Sequence, residues 1–211
     1  MSNPLNSWYQ KLIAYFGLQH WWPADSPFEV IVGAVLTQNT NWQNVEKAIN
    51  NLKKHKLLAA DKLYKLKNRQ LAPYIKSAGY YNIKAKRLKE FLKFFFQAYQ
   101  GDLEKMSLTQ APNLRRQLLS VNGIGPETAD SILLYAFNKP VFVVDAYTKR
   151  ILIRHRMIKK DADYQQIQGF FLKNLKADSK LFNEYHALLV KLGKEFCLKN
   201  KPRCEICPLK R

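Results

Sequence analysis

Leu118–Asp145 reads LLSVNGIGPETADSILLYAFNKPVFVVD. The apolar helix end Leu118-Leu119 runs into a turn, Asn122-Gly123-Ile124-Gly125, and a second helix is expected from about Glu127. Two glycines around one apolar residue let the backbone turn sharply and approach a partner closely. The N–H groups that open the next helix lack intrahelical acceptors and point into the positive end of the helix dipole, which suits a phosphate. Gly123, Ile124, Gly125, Glu127 and Thr128 are therefore candidate phosphate contacts. A lone G-x-G is more often an ordinary loop. The setting raises this one: apolar helical flanks, Thr128-Ala129 in the second helix, and Val143-Val144 before a single acid, Asp145.

Outside this stretch the chain is basic and rich in core-forming residues. Lys and Arg number 35 against 16 Asp and Glu, a net charge of +19. An excess of this size points to a polyanionic partner, although charge alone does not separate DNA from RNA or anionic lipid. Aromatics at 13% and hydrophobics at 47% of the 211 residues argue for a folded protein, not a disordered basic tail. There is no run of roughly 18 apolar residues, so no membrane span is expected. The N-terminus lacks a basic-then-apolar signal pattern, and a cytoplasmic, nucleoid-associated protein is expected. The three cysteines all fall within Cys197–Cys207. That is no disulfide framework; clustered cysteines suggest a metal or cluster site, zinc with His being one option.

Periodicity reads as almost entirely helical. Helices are expected at Ser7–Gly17, Phe28–Leu36, Trp42–Leu52, Asp61–Leu66, Gln70–Ser77, Lys84–Tyr99 and from Ser107 onward. After Asp145 three more follow, at Ala146–His155, Tyr164–Leu175 and Phe182–Phe196. Gly79, Gly101 and Pro112 punctuate the series. Val141–Asp145 has strand propensity, but no partner strand is evident, and it reads as an extended connector into a helix capped by Asp145.

The hairpin and its trailing Asp145 resemble the helix-hairpin-helix plus Gly/Pro…Asp signature of the endonuclease III superfamily of DNA glycosylases. The likeness extends to FEVIVGAVLTQNTNWQNVEKAI at Phe28–Ile49, IKSAGYYNIKAKRL at Ile75–Leu88 and CLKNKPRCEICPL from Cys197. The resemblance implies an all-α, two-domain fold. Residues 27–139 would form a six-helix barrel, and residues 1–26 with 140–211 a second helical domain carrying an iron–sulfur-type loop. It implies a monomer acting on double-stranded DNA that contains a damaged base.

The resemblance also implies roles. Asp145 takes the place of the catalytic Asp. Breaking an N-glycosidic bond builds oxocarbenium character on the sugar, and a carboxylate near C1′ stabilises that charge and orients a water. A plain N-cap role for Asp145 is compatible with this. Bifunctional members carry an imine-forming Lys two residues after the second glycine; here that position is Glu127, which cannot form an imine. Trp21, Trp22 and Trp42 resemble the base pocket of the 3-methyladenine glycosylase III branch, where an indole face attracts a cationic N-alkylated purine. Lys194 matches a basic position near that pocket. Gln38 matches the residue that fills the hole left by a flipped nucleotide. Lys84, with Lys86 and Arg87, is a supporting phosphate contact.

Cys197, Cys204 and Cys207 match three ligands of the family's [4Fe–4S] loop, whose fourth Cys would lie six residues after the third, beyond residue 211. A truncated chain, another group on the fourth iron, or a lost cluster are the readings this leaves, and the retained spacing favours the cluster. The leading reading is a monofunctional glycosylase for N-alkylated purines. Its rivals are a bifunctional glycosylase/lyase for oxidised pyrimidines, a non-enzymatic DNA-binding protein, and an RNA-binding or nucleotide-pool enzyme.

Overall fold

The computed structural model describes residues 4–210. Its helices in chain order are α1 (Pro4–Phe16), α2 (Pro27–Leu36), α3 (Trp42–Lys54), α4 (Ala60–Lys65), α5 (Asn68–Leu71), α6 (Tyr81–Tyr99), α7 (Leu103–Leu108), α8 (Ala111–Leu119), α9 (Pro126–Ser131), α10 (Ala146–Arg154), α11 (Tyr164–Asn174) and α12 (Ser179–Glu195). No β-strand occurs among the described residues. The chain divides into two compact units: one spans Ala24–Phe137, and the other joins the segment up to Pro23 to the chain from Asn138 onward.

In the Ala24–Phe137 unit, α2 is the central rod. The Ser26 side chain accepts the Glu29 N–H at 3.2 Å and Pro27 follows as the first helical residue, a start signal of cap plus preset φ. Every residue from Phe28 to Leu36 is buried, and the rod meets α3, α6 and α9. Each large apolar side chain so enclosed contributes about 1.5–3 kcal/mol relative to exposure. The one charge on the rod, Glu29, is offset by the Lys53 ammonium at 2.7 Å.

Two boundaries differ from expectation for local reasons. Helix α6 begins at Tyr81, three residues early, because Gly79 (φ +69°) and Tyr80 (φ +46°) make the left-handed turn that releases the chain into it. The helix expected from Ser107 onward is two, α7 and α8, with Pro112 in the first turn of the second. Helices α8 and α9 form the hairpin, tied by Arg115 to Asp130 through Nε–Oδ1 at 2.7 Å and Nη2–Oδ2 at 3.0 Å. Beyond Ser131, α9 continues as one wide π turn, Ile132–Ala136, buried throughout.

In the other unit α12 is the spine, with α1 and α10 packed on it. Gly193 permits the α10 contact, since a Cβ there would lie 2.4 Å from Tyr147 Cδ1. Val141–Asp145 is an extended connector without strand pairing. It is pinned at Phe142, whose ring stacks on Phe171 at 3.7 Å and 7° and meets Phe182 edge-on. Gln168 Nε2 donates to Phe142 O at 2.7 Å. Among the described residues no helix is long and apolar enough to cross a membrane.

Candidate functional site

The anchored connector delivers Asp145 to the start of α10. Asp145 Oδ1 accepts the Thr148 N–H at 2.7 Å, so the residue is the N-cap of α10. Its other oxygen, Oδ2, faces His186 Nε2 at 3.7 Å, and the side chain is 13% exposed. Burial pushes the His186 imidazole below its ordinary pKa, against the opposing pull of Asp145. A neutral imidazole leaves the carboxylate's charge available to a developing cation, whereas an imidazolium would neutralise it. Sequence reading missed His186. It lies on α12, a separate helix far along the chain, and only the fold brings it to Asp145.

The hairpin is built in the other unit. Gly123 takes φ +89°, a conformation that favours glycine, and a Cβ there would lie 2.3 Å from Arg87 Cγ. Gly125 is the N-cap of α9, with open space around the position of an added Cβ. Pro126 is the first helical residue, one earlier than expected. Ile124 and Thr128 are buried while Glu127 is exposed on the first turn. Gln38, in the turn after α2, donates from Nε2 to Gly123 O and to Thr128 Oγ1, both at 2.9 Å, and its Oε1 accepts from Arg87.

Trp21 and Trp22 pack together, centroids 5.2 Å apart and planes at 52°, with both Nε1 atoms buried. They belong to the unit that holds Asp145, whereas Trp42 opens α3 in the other unit. Lys194 is exposed in the last turn of α12.

Lys84 requires a correction. It is 1% exposed, and its ammonium donates to Leu36 O at 2.8 Å and Ala78 O at 2.7 Å. It holds the end of α2 to the segment before Gly79 instead of facing a phosphate. The sequence signal misled because a Lys in a basic run is usually solvated. Desolvation, helped by the nearby Arg87 charge, lowers its pKa from 10.5 to about 8. The folded state thus carries the cost of a buried charge fully below pH 8, and sheds it as pH rises toward 10.5. Thermal melts from pH 7.5 to 10 are expected to show the stability of the wild type gaining on that of Lys84→Met as pH rises; parallel curves would refute this.

The Cys loop is held to α10. Arg154 Nη1 donates to Cys197 Sγ at 3.3 Å, and Arg150 Nε donates to Cys197 O at 2.8 Å. Burial and the nearby Cys197 and Cys204 raise the Cys207 thiol pKa. Three thiols are short of a four-thiolate set, and among the described residues no group of three or more His, Cys, Asp or Glu is gathered to hold a metal. The residues present do not complete a cluster site.

Comparison with known proteins places this geometry. Residues 32–177 match the family model described as "HhH-GPD superfamily base excision DNA repair protein". A Methanocaldococcus jannaschii protein named "Putative DNA repair glycosylase" is 50% identical over 204 residues, covering 96% of this chain and 92% of its own. Endonuclease III of Thermotoga maritima is 30% identical over 184 residues, covering 87% and 81%. Among solved structures, the H. pylori 3-methyladenine DNA glycosylase bound to 1,N6-ethenoadenine aligns with TM-score 0.75 and 29% identity, covering 91% of this chain and 94% of that one. A non-covalent endonuclease III–DNA complex aligns with TM-score 0.83 at 20% identity, a likeness of fold, over 97% and 91%. The all-helical architecture is that of this group: the chain belongs to the HhH-GPD superfamily of base excision DNA repair proteins and is a DNA glycosylase.

Proposed function

We propose that this DNA glycosylase is monofunctional, acts as a monomer on damaged duplex DNA, and releases N-alkylated purines by hydrolysis. The observation that carries the reading is the pairing of one well-anchored carboxylate, Asp145, with a carboxylate, Glu127, where an imine-forming amine would stand. As the C1′–N bond breaks, its electron pair leaves with the base and positive charge develops on the sugar. Asp145 stabilises that charge and orients a water, whose oxygen bonds to C1′ while its proton passes to the carboxylate or solvent. An N-alkylated purine is already cationic and departs neutral, so no second acid is required. Trp21 and Trp22, which pack together, would offer indole faces to that cation, a contact of roughly 0.5–2 kcal/mol. The likeness to a 3-methyladenine glycosylase holding a modified adenine supports the purine reading. In this reading Gly123, Gly125, Glu127 and Thr128 meet the phosphates, whereas Ile124, buried and with its N–H donated to Val121 O, supports the turn from within; Lys194 borders the pocket. The [4Fe–4S] cluster implied by the Cys spacing enters no step, because the donor set is incomplete.

The test is base release from duplexes carrying 3-methyladenine, hypoxanthine, uracil or thymine glycol, with borohydride added in parallel. Release of 3-methyladenine without a trapped covalent adduct is expected, with strand breaks only after alkali. Trp21→Ala and Trp22→Ala should lose more of this activity than Trp8→Ala, whose ring rests on His155. Efficient trapping, or a preference for thymine glycol, would move the enzyme to the bifunctional class that its likeness to endonuclease III offers as the alternative.

A further inference from the structure

Gln38 has one acceptor and two N–H donors on its side-chain amide, and all three are engaged. The orientation of the amide is forced by its partners. An arginine only donates, so Arg87 must meet Oε1; the Gly123 carbonyl only accepts, so it must meet Nε2. The amide therefore spans the hairpin turn, gripping the carbonyl of Gly123 before it and the hydroxyl of Thr128 after it.

Arg87 completes the arrangement from outside. Its guanidinium holds the Gln38 oxygen, and its stem lies against the bare α-carbon of Gly123, where a Cβ would meet Cγ at 2.3 Å and Cδ at 2.9 Å. The Gly123–Ile124 peptide is then fixed at both ends: its oxygen by Gln38 and its N–H by Val121 O at 3.0 Å. The left-handed turn at Gly123 and the start of α9 are set by two side chains distant in sequence, one on the turn after α2 and one on α6.

We propose that Gln38 and Arg87 act as one clamp that shapes the hairpin for phosphate binding, so that both are positioning residues for duplex affinity in general. This departs from the sequence expectation for Gln38. To fill a hole in the duplex the side chain would have to give up three hydrogen bonds, two of them to the phosphate-binding turn. The proposal rests on the phosphate-binding reading of that turn.

The test is equilibrium binding of wild type, Gln38→Ala, Arg87→Met and the double variant to an undamaged duplex and to the same duplex with an abasic-site analogue, over a range of salt. Circular dichroism melts confirm folding, with Arg87→Lys, which keeps the charge but loses the planar fork, as the milder variant. Each single variant is expected to weaken both duplexes by the same factor, roughly tenfold, and the double variant to lose little more than either single, as coupled residues do. A loss confined to the abasic duplex in Gln38→Ala would make Gln38 a hole-filler and overturn the clamp. Additive losses, with a shallower salt slope in Arg87→Met, would make Arg87 a direct phosphate contact and overturn it too. If wild-type binding is itself independent of salt, the phosphate reading of the hairpin fails and the clamp with it; if salt-dependent binding survives unchanged in every variant, only the clamp fails.

Discussion

Asp145→Asn should slow base release by on the order of a thousandfold while binding to damaged duplex stays near that of wild type. The size follows from what is removed. A preorganised charge aimed at a developing charge is worth far more in the transition state than in the ground state, and loss of a single such group typically costs about 10²–10³ in rate. The substitution is mild in every other respect. Asparagine keeps an oxygen that accepts the Thr148 N–H, so α10 retains its cap. The connector before it stays pinned by Phe142 against Phe171 and by Gln168 on the Phe142 carbonyl. His186, which faces Oδ2, is buried on α12 and keeps its place beside the uncharged amide. Single-turnover release from an alkylated duplex at saturating enzyme isolates the chemical step. A rate within a few-fold of wild type would remove Asp145 from the reaction.

Asp145 and the hairpin were legible in the sequence because their signals are local. A glycine at positive φ, a proline opening a helix and an aspartate before a helix are decided by neighbouring residues, and so they survive without the fold. His186 and Lys84 were not legible for the opposite reason. His186 acquires meaning only when α12 packs beside α10. Lys84 sits in a run with Lys86 and Arg87 that reads as a phosphate-contacting basic surface, and only the junction between α2 and the segment before Gly79 reveals that this one lysine is enclosed. Gln38 stands between these cases: its place in a polar turn was readable, but its three partners come from the hairpin and from α6. The cysteine spacing was legible as a pattern, but whether the thiols gather depends on the fold, and among the described residues no metal-holding group of three or more His, Cys, Asp or Glu is assembled.

The hairpin also depends on an ion pair that spacing alone did not suggest. Asp130 has a fully buried side chain and receives two hydrogen bonds from Arg115, which joins α9 to α8 across the turn. Arg115→Met should destabilise the protein by about 3–5 kcal/mol, because it strands a carboxylate in a low-dielectric setting without its countercharge. For a chain of this length that corresponds to a fall in melting temperature of roughly 10 °C. The cost belongs to the buried charge left without Arg115 more than to the lost contact. Arg115→Met combined with Asp130→Leu removes both charges at once and should recover most of the stability, a non-additive result diagnostic of coupling. Duplex binding should follow the same order, weakest in Arg115→Met and improved in the double variant, because the pair joins the two helices on either side of the turn that carries Gly123 and Gly125. Melting curves and salt-titrated binding on the three proteins check both parts. If Arg115→Met melts within a few degrees of wild type, the pair is not what fastens the hairpin.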